Sequence, residues 1–144
     1  MRAPTVEEAL GAALTAEYAA IFAYGPIGVR LGDAARKAAR EAEAAHRGRR
    51  DELVLRLSSG GGTVPADLAG YALPYPVTDE ESALRLAVEV EERTAGYWRA
   101  ALAATTGAER ARALAALTDC AVRATRWRRT ARRTPLTVPF PGRT

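Results

Sequence analysis

The stretch SSGGGTVPADLAGYALPYPV, residues 58–77, decides the fold. It is dense in glycine and proline, has no helical period, and interrupts a chain otherwise made of four long apolar-periodic segments. The breaks on either side of it are short: Gly32-Asp33 parts the first two segments and Thr106-Gly107 the last two. The spacing predicts helices over about 5–31, 33–58, 78–105 and 108–132. Each is ~25 residues and, at a rise of ~1.5 Å per residue, ~37 Å long. The long break, at up to ~3.3 Å per extended residue, can run back along that whole length.

Short, long and short connections are the topology of a ferritin-like bundle; an up-down-up-down bundle would not need the long one. The expected fold is therefore all-α: a ferritin-like four-helix bundle with a long crossover between helices 2 and 3. The tail TPLTVPFPGRT, 134–144, is too proline-rich for helix and should lie extended along the bundle. Local signals agree. Thr5 is a good N-cap with Glu7 and Glu8 in the first turn, where the helix dipole favours negative charge. Pro26 should kink helix one near its end. Gly32 then Asp33 suggests a C-terminal glycine followed at once by the next N-cap, folding helix two back antiparallel. Thr78 has the capping-box spacing to Glu81 and should open helix three.

The 144 residues are most simply one domain over 1–144, long enough to bury a core. Cys120 is the only cysteine, which excludes an internal disulfide and fits a reducing compartment. The opening MRAPTVEEAL places two acids where a signal peptide would want a cationic start. Residues 9–29 carry one charge, but they are mostly alanine, with a glutamate at the centre and a Gly-Pro near the end. That pattern suits a bundle helix better than a membrane span. The net charge of +4 comes almost wholly from arginine, since Lys37 is the only lysine. A cytoplasmic chain without membrane segments is expected.

The inward faces carry the most specific information. Helix one presents Val6, Leu10, Leu14, Glu17, Ile21, Tyr24 and Leu31 on one stripe, with Glu17 at its centre. Helix two presents Ala39, His46, Arg50, Leu53 and Leu57, with Glu43 to one side, and helix three centres Glu91 among Leu84, Val88, Ala95, Trp98 and Leu102. Glu17, His46 and Glu91 fall near the midpoints of their helices, so they should meet at one depth. A buried polar group costs several kcal/mol unless it finds a partner, so these should partner each other.

Glu43 with His46 is also the Glu-x-x-His spacing of two-metal carboxylate bundles, and Glu17 and Glu91 match two further contributions in type and order. The fourth helix breaks the pattern. Its inward positions are Leu117, Cys120, Ala121 and Ala124, it has no histidine, and Asp119 points away toward Arg123. The expectation is a metal-free buried cluster of Glu17, Glu43, His46, Arg50 and Glu91 in place of a degenerate dimetal site. The carboxylates of Glu17 and Glu91 would be neutralised by Arg50 and a protonated His46. Iron or manganese bound to these groups is the alternative.

Five stretches, AEYAAIFAYG (16–25), AHRGRRDEL (45–53), YALPYPVTD (71–79), LTDCAVRATRWR (117–128) and TVPFPG (137–142), resemble a family of ferritin-like domains of unknown function from actinobacteria. The resemblance spans nearly the whole chain, and its linker and tail are the more specific parts. It implies the four-helix fold and no activity. Iron storage, oxygenation and manganese catalase chemistry occur in the wider ferritin-like superfamily, but they need the full ligand set, which helix four does not supply.

The run RATRWRRTARR, 123–133, packs six arginines and a tryptophan into the end of helix four. Cations near a helix C-terminus are favoured by the dipole, and these face several directions, so a solvated end is expected over a nucleic-acid surface. Helix one is apolar beyond its inward stripe at Tyr18, Phe22 and Val29. The tail should cover that side, or a second copy should, giving a homodimer through helix one. The expected role is structural or binding, not enzymatic. A metal-dependent oxidoreductase and a nucleic-acid binder are the rivals.

Overall fold

The computed structural model describes residues 2–143. Four helices account for most of them: α1 (Val6–Val29), α2 (Asp33–Ser59), α3 (Glu80–Ala104) and α4 (Gly107–Thr130). No strand occurs among the described residues. None of the helices is long and apolar enough to cross a membrane.

The caps show why the helices start where they do. The Thr5 hydroxyl accepts the Glu8 N–H at 3.1 Å while the Glu8 carboxylate accepts the Thr5 N–H at 2.9 Å, closing a reciprocal box. At α3 the cap is Asp79, not Thr78. The Asp79 carboxylate accepts the Ser82 N–H at 2.8 Å, and the Ser82 hydroxyl accepts the N–H groups of Thr78 and Asp79. An aspartate–serine box one residue further on therefore displaces the Thr78–Glu81 spacing. α1 continues through Pro26 to Val29. Gly32 is the N-cap of α2 in extended conformation, so it does not act as a left-handed helix stop. At the other tight break, Gly107 opens α4 with φ +58, where a side chain would strain the backbone.

α1 packs on α2 and α3, α3 packs on α1 and α4, and α4 touches α2 only lightly. The α2 and α3 backbones do not pack against each other and stand on a diagonal, so residues 60–79 must join helices that are not neighbours. That connection lies along the outer side of α1. Pro65 meets Gly11 and accepts the Tyr18 hydroxyl at 3.2 Å, and the Tyr71 ring sits 5.8 Å from that of Phe22. Tyr71, Leu73, Tyr75 and Val77 are half-buried while Ala72, Pro74 and Pro76 between them are exposed, the period-two pattern of an extended segment with one face down. The connection, and not the C-terminal tail, therefore lies on the second apolar side of α1, burying Tyr18 and flanking Phe22. Phe22 and Val29 remain exposed there.

The tail lies on the opposite side, against α3 and α4. Arg99 donates to the carbonyls of Phe140 and Pro141, and Arg128 to that of Leu136. The apolar core has two compartments. One gathers Leu10, Leu14, Leu53, Leu57, Trp98 and Cys120; the other gathers Tyr24, Ile27, Leu31, Leu84, Leu86 and Trp127. Glu17, His46 and Glu91 lie between them.

Candidate functional site: a buried Glu–His–Glu layer

Glu17 from α1, His46 from α2 and Glu91 from α3 are 0%, 1% and 0% exposed. The imidazole bridges the carboxylates. Nδ1 lies 2.5 Å from Glu17 Oε2, and Nε2 lies 2.9 Å from Glu91 Oε1. A neutral ring carries one N–H and would turn a bare lone pair toward one of the carboxylates; only the imidazolium donates to both. Burial pushes the pKa of His46 down, but the hydrogen bonds and charges of Glu17 and Glu91 outweigh it and raise it to about 9. Burial likewise works to raise Glu91, yet His46, Arg123 and Tyr24 together hold its carboxyl below the usual range.

Aromatic donors satisfy what remains. The Trp98 indole N–H donates to Glu17 Oε1 at 2.7 Å, and the Tyr24 hydroxyl donates to Glu91 Oε1 at 2.7 Å. Trp127 in turn donates to the Tyr24 oxygen at 2.9 Å. Burial first, then the neighbouring Glu91 charge, push the Tyr24 phenol well above its ordinary value, so it stays protonated and keeps donating.

The structure brings together Glu17, His46 and Glu91 from the predicted set, and separates Arg50 and Glu43 from them. Arg50 lies four residues, and so about 40°, further round α2 than His46. Its guanidinium pairs with the adjacent Asp51 at 2.9 Å. The second cation is instead Arg123 of α4, at 3.3 Å from Glu91 Oε2 and 2.8 Å from Asp119 Oδ2. Glu43, half-buried, pairs with Arg47 one turn on at 2.9 Å. The Glu-x-x-His pair is thus split: the histidine turns into the core and the glutamate to the surface. Cys120, the inward residue of α4 at this depth, is buried, which raises its thiol well above the usual range, with Glu91 and Glu17 adding to the effect.

This donor set does not fit a metal ion. Both nitrogens of the single histidine are taken by carboxylates, Glu43 is turned away, and α4 brings a guanidinium where a second ion would need a ligand. Among the described residues, no group of three or more histidine, cysteine, aspartate or glutamate side chains is arranged to hold one. Chemically, the layer can hold a proton on His46 and keep four charged groups neutral overall.

A family model described as Domain of unknown function (DUF4439) matches residues 9–144. The chain belongs to this family. The DUF4439 chain is also similar to the conserved hypothetical protein Rv2844 from Mycobacterium tuberculosis, known from a crystal structure. The TM-score is 0.82 at 41% sequence identity, over 85% of this chain and 93% of that one. No curated protein matches the DUF4439 chain.

Proposed function

We propose that this chain is a ferritin-like bundle, with residues 60–79 as its long crossover, in which a metal-free Glu17–His46–Glu91–Arg123 network stands where a dimetal site would be. Its role is then structural or binding and not redox catalysis. The observation that carries this is the double engagement of His46, 2.5 Å from Glu17 and 2.9 Å from Glu91. A metal ligand needs a nitrogen lone pair free for the ion, and the usual outer partner of such a histidine is a single carboxylate or carbonyl. Here carboxylates hold both sides of the ring. The helix pairing supports the fold: α2 and α3 stand on a diagonal, as a crossover topology requires.

The test is elemental analysis of untagged protein from cells supplied with iron and manganese, beside a Glu17→Ala, His46→Ala variant. The expected result is no stoichiometric metal in either sample and a strongly destabilised variant. Near-stoichiometric metal that disappears in the variant would replace this reading with a metal-dependent one.

A further inference from the structure

A cleft of about 400 Å³ runs between α3, α4 and the C-terminal tail, away from the Glu–His–Glu layer. Ligand pockets for small molecules typically measure about 300–1,000 Å³ and are mostly apolar with a few placed polar groups. The walls here include Ala95, Leu117, Ala121, Val122 and Val138. Leu114, Val122 and Val138, which line it together with Thr118, Thr125 and Thr137, are 51%, 42% and 39% exposed, so the molecule leaves a mainly apolar surface uncovered at this place.

One cation lines the cleft. Arg128 is only 7% exposed, and it pairs with Glu92, whose side chain is 43% exposed. The tail that forms the far wall is pinned closely. Gly142 has φ +79, and a Cβ there would sit 2.7 Å from the Ala95 carbonyl oxygen, so only glycine brings the strap this near α3.

We propose that this cleft binds a single-chain aliphatic carboxylate, with its chain against α4 and the tail and its carboxylate on Arg128 in place of Glu92. The chemistry of the lining selects that class. No aromatic ring lines the cleft, so a flat aromatic ligand would find nothing to stack on, whereas short aliphatic walls suit a flexible chain. A guanidinium takes a carboxylate through two parallel N–H bonds, and a single arginine matches a monoanion better than a phosphate dianion. Glu92, on the rim and half in solvent, already supplies a carboxylate there and can yield to another. The buried position of Arg128 favours a free molecule entering the cleft over a lipid headgroup held in a bilayer.

The experiment is calorimetric titration with laurate below its micelle concentration, with dodecanol and phosphatidylglycerol vesicles as comparisons. The wild-type chain binds one laurate. Ala121→Phe fills the cleft and abolishes binding while melting as the wild type does. Arg128→Gln weakens laurate by about tenfold or more, as expected for loss of a charged hydrogen-bond partner, and leaves dodecanol unchanged. Should Arg128→Gln not fold, Glu92→Gln replaces it, and removing the internal competitor tightens laurate. Four results would overturn the proposal: no laurate binding by the wild type, undiminished binding by Ala121→Phe, no tightening in Glu92→Gln, or association with the vesicles alone. None of them bears on the metal content of the buried layer, so the two readings fail separately.

Discussion

At the bundle centre Glu17, His46 and Glu91 are out of water and each ionised atom faces a partner. At the end of α4, Arg126, Arg129, Arg132 and Arg133 are exposed and make no ion pair among the described residues. The two regions are joined by their exceptions. Two of the six arginines in 123–133 turn inward, Arg123 to Glu91 and Asp119 and Arg128 to Glu92. A charge therefore matters here by where its head lands and not by how many like it lie nearby in sequence. Charges at the centre should be costly to remove, and charges at the end nearly free.

The sharpest way to break that contrast is Glu91→Leu. It takes from the imidazolium, Arg123 and the Tyr24 hydroxyl the one carboxylate they share, and should cost ~3–5 kcal/mol in denaturant unfolding, as removal of one partner from a buried ion network does. Arg129→Ala, by comparison, should stay within ~0.5 kcal/mol. Equal losses in the two variants would mean that the centre is no more than another set of surface charges.

The pH dependence tests the same contrast without a substitution. His46 is raised from its ordinary value to about 9 in the fold, so its contribution is fully present below pH ~6.5 and is lost as pH rises through about 9. At ~1.4 kcal/mol per pH unit this amounts to ~3 kcal/mol. Glu91 shifts the opposite way, so its contribution is present at neutral pH and lost as pH falls through its lowered value. Stability should therefore decline on both sides, and in a His46→Gln variant the decline between pH 6.5 and 9 should vanish. An unchanged slope in that variant would assign the alkaline loss to another group.

A smaller effect separates the two candidate cations. Arg123→Ala should cost ~1–3 kcal/mol by leaving Glu91 and Asp119 short of a donor. Arg50→Ala should cost under ~1 kcal/mol, since its pair with Asp51 is on the surface. Between those two falls Gly107→Ala, where φ +58 predicts a loss of ~1–2 kcal/mol confined to the α3–α4 break, with the pH profile unaltered.

Much of this was legible in the sequence. Glu17, His46 and Glu91 announce themselves because each sits mid-stripe at the midpoint of a long helix, where an unpartnered polar group would be too costly. Arg123 does not, because angular counting places the Cα and not the end of a long side chain. Its depth, beside the position facing Glu91 across the Gly107 break, and its spacing to Asp119 were the available signals. Trp98 and Tyr24 were visible as core residues, but that their N–H and O–H point at the carboxylates depends on rotamers no periodicity reports. The covering of α1 was written in the alternation of Tyr71, Leu73, Tyr75 and Val77, a signal masked by the prolines around it.

Half of the buried apolar residues among those described are alanine. Helices that meet through methyl groups are nearly smooth: sliding one along another by a turn, ~5.4 Å, exchanges methyl for methyl and forfeits little. His46 does not permit such a slide. Its ring is held to α1 on one edge and to α3 on the other, by bonds that no neighbouring turn can offer. The longitudinal phase of three helices is thereby set at a single rivet, and a chain without it would be free to settle into several alignments of almost equal energy.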